Sequence, residues 1–209
     1  MTRRNWKKLL IKYNSSGRVD KQRVVLVSVS GTSNVPGTCN DIAAISRITH
    51  AHGARLFVDA AQLVAHRAIS MTRWSVDYLA FSGHKVYAPF GSGALISRRI
   101  SIPDASSLSA NPNGVNAAGI AALGKALLLL ERIGFDLIAE REHRLLRYGL
   151  QKLADIPGLR LYGIRDPESP LLHHRGAVIP FDIKKNKSGS LHPGEKHWCI
   201  HLADESSVC

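Results

Sequence analysis

The stretch from Ala54 to Lys85, ARLFVDAAQLVAHRAISMTRWSVDYLAFSGHK, decides the fold prediction. It contains two short apolar runs, 54–59 and 77–81, whose length and composition are typical of strands. Asp59 ends the first run, and Ser82-Gly83-His84-Lys85 directly follows the second. In open α/β sheets, ligands bind at the carboxyl ends of the strands, so the pattern predicts a binding site formed by these polar residues.

The neighbouring segments extend this sheet. Residues 23–29, RVVLVSV, form a continuous run rich in β-branched residues, which predicts a strand buried on both faces. Residues 41–52 follow with apolar residues on one helical face, and Asn40 is the expected N-cap. Residues 93–97 predict a fourth strand. The alternation of strands and a helix predicts an α/β fold with a mainly parallel sheet over residues 23–98.

The C-terminal half predicts the start of a second, smaller domain. We expect a buried Ala/Leu-rich helix, a helix with one solvated face and two strands, at 117–133, 135–155, 159–162 and 176–183. The predicted organisation is an unplaced basic segment, a partial large domain and a partial small α+β domain, at 1–22, 23–134 and 135–209.

The composition favours a soluble protein of a reducing compartment. No run approaches the roughly 20 apolar residues that a membrane-spanning helix needs. The three cysteines include no C-x-x-C pair, which argues against a disulfide framework, and we expect a cytoplasmic location. The net charge of +12 favours anionic partners. Because the basic residues are spread along the chain without a nucleic-acid motif, a nucleic-acid partner is not expected.

The polar residues at the two strand ends are suited to pyridoxal-phosphate (PLP) chemistry. A PLP site needs a lysine amine for a Schiff base, a carboxylate at the pyridine nitrogen and donors for the phosphate. Lys85 and Asp59 provide the first two. Each alone is more simply interpreted as a solvated strand-end or turn residue, so the prediction depends on their neighbours.

Those neighbours resemble one family. Five segments match in order and spacing the central stretch of cysteine desulfurases and selenocysteine lyases, within the class V aminotransferase family of PLP-dependent fold type I enzymes: SNV (33–35), DI (41–42), VDAAQ (58–62), DYLAFSGHK (77–85) and YAPFG (87–91). The strong resemblance covers residues 23–98, and a weaker one continues from 113 to about 164.

The resemblance implies a role for seven residues. Lys85 would hold PLP as the internal aldimine and move the α-proton of an amino-acid substrate such as cysteine, bound in turn as an aldimine. Asp59 would pair with the pyridine nitrogen, Gln62 would hydrogen-bond the phenolic oxygen and Ala61 would pack against the ring. Ser82 and His84 would hold the phosphate, and Asn34 would lie beside the substrate carboxylate. Pro36 departs from the residue type expected in the Ser33-Asn34-Val35 turn, because it fixes φ and removes a donor.

The resemblance also implies segments that these 209 residues do not display. They are a Gly/Thr phosphate loop, a histidine stacked on the ring, a C-terminal substrate-binding arginine and a cysteine-bearing loop. We therefore expect a truncated, weakly active or inactive enzyme, with exposed apolar surface and homodimerisation or association with a relative. Two alternatives stay open. The first is another PLP reaction, and the second is a non-catalytic fragment acting by association with a full-length relative or, through its charge, with nucleic acid.

Three histidine-containing groups are weak candidates for functional sites. His50 and His52, two residues apart on a helix, point to different faces. His197, Cys199 and His201 alternate, which is more typical of one face of an extended segment than of a metal site. Residues 173–176, HHRG, are interpreted as a loop. No metal site is expected.

Overall fold

The computed structural model describes residues 3–14, 23–98, 116–183 and 198–201, which belong to two compact units. Unit 1 comprises Met1–Gly31 and Asp41–Arg132. Unit 2 comprises Thr32–Asn40 and Ile133–Cys209. The division into a large domain of 23–134 and a small domain of 135–209 stays a prediction.

Unit 1 is built on a four-stranded sheet in the order β1-β2-β3-β4. The strands are β1 (Leu26–Ser30), β2 (Arg55–Asp59), β3 (Tyr78–Ser82) and β4 (Gly93–Ser97). The α/β class is confirmed, and β1, β2 and β3 are parallel as predicted. The mainly parallel character of the sheet is also confirmed, with β4 as the exception, since it pairs antiparallel to β3. Only residues 83–92 connect these two strands, and a parallel crossover needs a dozen residues or more.

The core of unit 1 lies along β2 and the helix α2 (Ile42–Ala51), which packs against it. Leu56 and Val58 of β2 are fully buried. The helix begins one residue later than predicted. Asp41, and not Asn40, is its N-cap, because the Asp41 carboxylate accepts a hydrogen bond of 3.0 Å from the Ala44 amide.

The prediction that the β1 run is buried on both faces is wrong. Val27 and Val29 are buried, but the alternate residues of β1 are exposed, and Leu26 keeps 47% of its accessible surface. Alternate side chains point to opposite faces of a strand, and only the face that carries Val27 and Val29 is covered.

Part of the basic N-terminal segment, to which the sequence analysis assigned no structure, forms the helix α1 (Arg3–Asn14). Leu10 is buried at 2% exposure, and the helix contacts α2. Asn14 fastens its end: the side-chain amide donates to the carbonyls of Val24 and His52, each at 2.8 Å, and its oxygen accepts from the Val24 amide at 2.9 Å. One asparagine thus joins α1, the strand leading into β1 and the end of α2.

Two more helices lie in the described part of unit 1: α3 (Met71–Trp74) and α4 (Ala117–Ile133). The bounds of α4 are confirmed, but the prediction that it is buried is wrong. One stripe is covered and the other is open to solvent. The covered residues are Gly119, Leu123, Ala126 and Leu130, and the exposed ones include Ile120, Leu128, Leu129 and Ile133.

Unit 2 packs the helix α5 (Phe135–Ala154) against the antiparallel sheet β5-β6-β7, with strands Leu159–Leu161, Val178–Ile183 and Trp198–His201. The α+β character of this region is confirmed. Its core consists of Leu146, Leu150, Leu161, Leu172 and Ile179, each at most 8% exposed. Beside it, Asp182 accepts a bidentate ion pair from Arg160 and a hydrogen bond of 2.6 Å from the Tyr162 hydroxyl.

The histidines near the end of α2 serve the fold. His50 Nε2 lies 2.7 Å from Asp77 Oδ2, which also accepts from the Leu56 amide at 2.8 Å. His52 Nδ1 lies 2.8 Å from the Ile48 carbonyl oxygen. Among the described residues, no group of three or more His, Cys, Asp or Glu side chains could hold a metal ion.

Candidate functional site

The carboxyl ends of β2 and β3 lie side by side. Asp59, the last residue of β2, is paired with Ala80 of β3, and the Ala60 amide donates to the Ala80 carbonyl at 2.8 Å. On the other side, the Gly31 amide donates to the Asp59 carbonyl at 2.7 Å. The backbone of Asp59 is therefore held from both neighbouring strands. Its carboxylate and the residues that follow β3 emerge at the same edge of the sheet.

Lys85 lies in a 3₁₀ turn, Gly83–Val86, that begins directly after β3. It is half-buried, and within the described part of the chain its amine has no hydrogen bond or ion pair. Residues 3–14, 23–98 and 116–183 likewise offer no cation to the Asp59 carboxylate, whose Oδ1 accepts only from the Ala61 amide at 3.0 Å. The side-chain amide of Gln62 is also unpaired among these residues. An amine, a carboxylate and a side-chain amide are thus left without a described side-chain partner at the end of β2 and in the segments that follow β2 and β3.

Ser82 and His84 interact directly. The Ser82 hydroxyl lies 2.7 Å from His84 Nδ1, at the junction of β3 and the 3₁₀ turn. Two side chains capable of donating hydrogen bonds therefore meet one residue before Lys85. This pair could bind an anionic oxygen, since a hydroxyl and an imidazole N–H both donate.

A tight backbone contact sets the position of the Lys85 turn. The Gly83 amide donates to the Ser92 carbonyl at 2.7 Å. A Cβ added at Gly83 would lie 2.5 Å from Ser92 Oγ and 2.8 Å from the Ser92 carbonyl oxygen. Only glycine allows the turn to approach the start of β4 this closely.

Asn116, which the sequence analysis did not single out, binds the backbone of the connection between β3 and β4, residues 83–92. Its side-chain amide donates to the Phe90 carbonyl at 2.6 Å, and its oxygen accepts from the Gly119 amide at 2.9 Å. Phe90 has φ of 69° and is 68% exposed, so the loop is held by its backbone rather than by ring packing. The available signal was an asparagine just before an Ala/Leu-rich helix, a typical N-cap position.

Asn34 belongs to unit 2, so its predicted role beside the substrate carboxylate stays a prediction from the resemblance. It is exposed in a turn closed by a hydrogen bond of 3.0 Å from the Ser33 amide to the Thr38 carbonyl. The turn is anchored by the Cys39 amide, which donates to the His174 carbonyl at 2.8 Å. Pro36 is accommodated within the turn.

The HHRG segment has a structural role. His173 and His174 lie in a short 3₁₀ turn, Leu172–His174, and Arg175 is 2% exposed. The Arg175 guanidinium donates to the carbonyls of Val178 and Ile164, and burial lowers its pKa below the ordinary value. The interpretation of this segment as a loop agrees with the structure.

The backbone of the Cys199 segment forms β7, paired antiparallel with β6 so that Cys199 lies opposite Pro180. The expected extended segment is therefore present. His197 and Cys209 lie outside the described residues. Within the described ranges, no helix is long and apolar enough to cross a membrane.

The set of groups at the β2/β3 edge fits PLP. An unpaired lysine amine, a carboxylate without a described cation, a free amide and a Ser/His donor pair match the functional groups of this cofactor. Lys85, Asp59, Gln62, Ser82 and His84 could hold it. The assignment of each residue to one part of the cofactor stays a prediction.

Comparison with known proteins identifies the family. Residues 11–188 match the family described as Aminotransferase class-V, a longer match than the sequence resemblance indicated. The chain is 36% identical over 188 residues to a cysteine desulfurase of Dickeya dadantii and 32% identical over 184 residues to one of Klebsiella pneumoniae. These matches cover 79% and 77% of this chain, but 44% and 45% of the relatives.

Solved structures of cysteine desulfurases are similar to this chain as well. The cysteine desulfurase CsdA of Escherichia coli matches with a TM-score of 0.62 and 25% identity, over 77% of this chain and 44% of that one. The apo cysteine desulfurase of Thermococcus onnurineus matches with a TM-score of 0.64 and 25% identity, over 91% and 48%. The chain thus spans about half the length of the relatives it matches. With its α/β fold and this extent of similarity, the chain belongs to the class V aminotransferase family of PLP-dependent fold type I proteins, as a partial, cysteine desulfurase-like member.

Proposed function

We propose that this chain carries the PLP-attachment part of a cysteine desulfurase-like enzyme, with Lys85 as the residue that holds the cofactor. The supporting observation is the half-buried Lys85 amine, which has no partner in the described residues and follows β3 at the sheet edge where β2 ends in Asp59. A half-buried lysine without a carboxylate partner among the described residues is available for covalent chemistry.

The other residues of the edge would orient the cofactor. Bound PLP supplies an electron sink for the carbanion that forms beside a substrate amino group. The Asp59 carboxylate would hold the proton on the pyridine nitrogen, and its hydrogen bond from Ala61 fixes its direction. Gln62 would donate to the phenolic oxygen, while Ala61 would pack against the ring. Lys85 would move the α-proton of the substrate.

Two further roles concern the charged ends of the cofactor and the substrate. Ser82 and His84, whose Oγ and Nδ1 lie 2.7 Å apart, would bind the phosphate through the hydroxyl and an imidazole N–H. Asn34 would bind the substrate carboxylate, on the strength of the family resemblance alone. The substrate class is an amino acid, cysteine or a relative of it, as the names of the similar proteins suggest.

Covalent trapping tests the attachment. The chain is incubated with PLP, reduced with borohydride, digested and mapped by mass spectrometry. We expect the label on Lys85 and its loss in Lys85→Ala, while Lys125→Ala, which removes an exposed lysine of α4, keeps it. Label spread equally over surface lysines in all three proteins would refute the proposal.

Turnover is a separate question, because the chain spans less than half of its similar cysteine desulfurases. We expect the chain alone to release sulfide and alanine from cysteine no faster than free PLP. Positioning groups supply several kcal/mol of barrier reduction in enzymes, and an arginine clamp for the substrate carboxylate and a cysteine-bearing loop have no assigned counterpart in this chain. Release well above the free-PLP blank, abolished in Lys85→Ala, would show that these residues suffice.

A further inference from the structure

Arg175 of unit 2 is a buried cation whose partners are all backbone carbonyls. The residue is 2% exposed. Its Nε and Nη2 donate to the Val178 carbonyl at 3.1 and 3.0 Å, and its Nη1 donates to the Ile164 carbonyl. Within the described part of the chain, the guanidinium has no carboxylate partner. Burying a charge is costly, and an apolar side chain of similar volume is often as stable, so stability alone does not explain an arginine at this position.

The backbone beside this arginine holds the turn that presents Asn34. We name residues 174–178 the platform and residues 32–39 the Asn34 turn. They are joined by three contacts: the Cys39 amide donates to the His174 carbonyl at 2.8 Å, the Gly176 amide donates to the Gly37 carbonyl at 2.6 Å, and Thr38 pairs with Arg175 in an antiparallel bridge. The position of the Asn34 turn therefore depends on the position of the platform.

The contact between turn and platform is close at Gly37. This residue has φ of 64°, and a Cβ added there would lie 3.1 Å from the Gly176 carbonyl oxygen and 3.3 Å from Val178 Cβ. Val178 is also the residue whose carbonyl accepts two hydrogen bonds from the Arg175 guanidinium. The Asn34 turn is thus packed against the same platform residue that Arg175 binds.

We propose that Arg175 is a positioning residue for the substrate carboxylate and acts through Asn34. Its guanidinium fixes the platform, and the platform fixes the turn that carries the Asn34 amide. This inference rests on the proposed function, in which Asn34 binds the substrate carboxylate. The Asn34 side chain is exposed and has no partner among the described residues, so only the backbone of its turn holds it. Binding groups need supporting hydrogen bonds that hold them within about 0.5 Å of the productive position.

The test compares two ligands on the PLP-loaded full chain, L-alanine and ethylamine. Both carry an amine that can react at the cofactor on Lys85, but only L-alanine has a carboxylate. The ratio of their apparent dissociation constants, L-alanine over ethylamine, measured by visible absorbance, isolates the contribution of the carboxylate. Asn34→Ala should raise this ratio about 10-fold or more, because it removes a hydrogen bond to a charged group. Arg175→Met, which removes the donors but keeps a long side chain, should raise it by a similar factor.

A double-mutant cycle separates positioning from an independent effect. Because Arg175 acts through Asn34, the double variant should raise the ratio no further than either single variant. Arg175→Lys keeps the charge but not the planar fork of donors, so its ratio should lie between those of the unsubstituted chain and Arg175→Met. The control Arg144→Met removes an exposed arginine of α5 and should leave the ratio unchanged.

A second variant covers the case in which Arg175→Met fails to fold by circular dichroism. Gly37→Ala disturbs the same contact from the side of the turn and should raise the ratio in the same way. Hydrogen exchange of peptides from residues 32–40 should be faster in both platform variants and unchanged in Asn34→Ala.

The outcomes distinguish this inference from the proposed function. A ratio that rises in Asn34→Ala but not in Arg175→Met or Gly37→Ala would refute the positioning role alone, as would additive effects in the double variant. A ratio unaffected by Asn34→Ala would refute both the carboxylate role of Asn34 and this inference. Failure of PLP to label Lys85 in the borohydride experiment would instead refute the proposed function, and with it the inference that rests on it.

Discussion

The glycine before His84 provides the sharpest structural test of how the Lys85 turn is positioned. A methyl group at Gly83 would lie 2.8 Å from the Ser92 carbonyl oxygen and 2.5 Å from Ser92 Oγ. The hydroxyl can rotate away, but the carbonyl belongs to the backbone and accepts the 2.7 Å hydrogen bond from the Gly83 amide. Gly83→Ala must therefore move the turn away from the start of β4.

The expected cost follows from two contributions. Overpacking by one methyl group against fixed backbone costs about 1–3 kcal/mol, and a lengthened backbone hydrogen bond adds about 1 kcal/mol. We expect Gly83→Ala to lower the free energy of unfolding by about 2–4 kcal/mol. Gly124→Ala is the matched control, because the same methyl group meets nothing within 4 Å in a helix interior. It should stabilise the chain by about 0.5–1 kcal/mol.

Urea denaturation followed by circular dichroism measures these changes, and hydrogen exchange of peptides from residues 78–97 measures the opening of the turn itself. The double variant Gly83→Ala with Ser92→Gly should recover only part of the loss, since the carbonyl contact remains. Full recovery, or a loss below about 0.5 kcal/mol in the single variant, would refute the argument that backbone contact sets the turn. In the borohydride experiment, Gly83→Ala should also lower the yield of label on Lys85.

Three further predictions concern the stability of the unit 2 core, the titration of Tyr162 and the self-association of the chain. Leu150→Ala, at a fully buried position in the unit 2 core, should cost about 2–5 kcal/mol in urea denaturation, whereas Leu128→Ala at 53% exposure should cost far less. The hydrogen bond from Tyr162 to Asp182, together with desolvation, raises the pKa of Tyr162 above its ordinary value, outweighing the opposing effect of Arg160. The stability it adds is present below pH 10 and is lost as pH rises through the raised pKa, so Asp182→Asn should move the 295 nm absorbance titration of Tyr162 to lower pH. We expect the chain to self-associate through the edge strand β4, whose Ile96 is 44% exposed. In sedimentation velocity, Ile96→Lys should reduce association, whereas the control Leu128→Lys should not. A monomer at high concentration in the unsubstituted chain would contradict this expectation.

Local pattern determined much of the fold in advance. Run length and residue type marked β2, β3, β4 and α4 to within one or two residues, since strand and helix periods are properties of short segments. The placement of Asp59 and Lys85 at adjacent strand ends also followed, because parallel strands joined by crossovers bring their carboxyl ends to one edge. The motif around Lys85 was sufficient to indicate the family, which the comparisons confirmed.

Features that depend on distant contacts were decided only by the tertiary structure. The antiparallel direction of β4, the half-covered face of β1 and the open stripe of α4 depend on what lies beside each element, which its own sequence does not contain. The same holds for the segment 32–40, which joins unit 2 through the backbone of His174 although it precedes α2 in the chain. In each case strand pairing and packing, rather than chain order, determine which residues become neighbours in space.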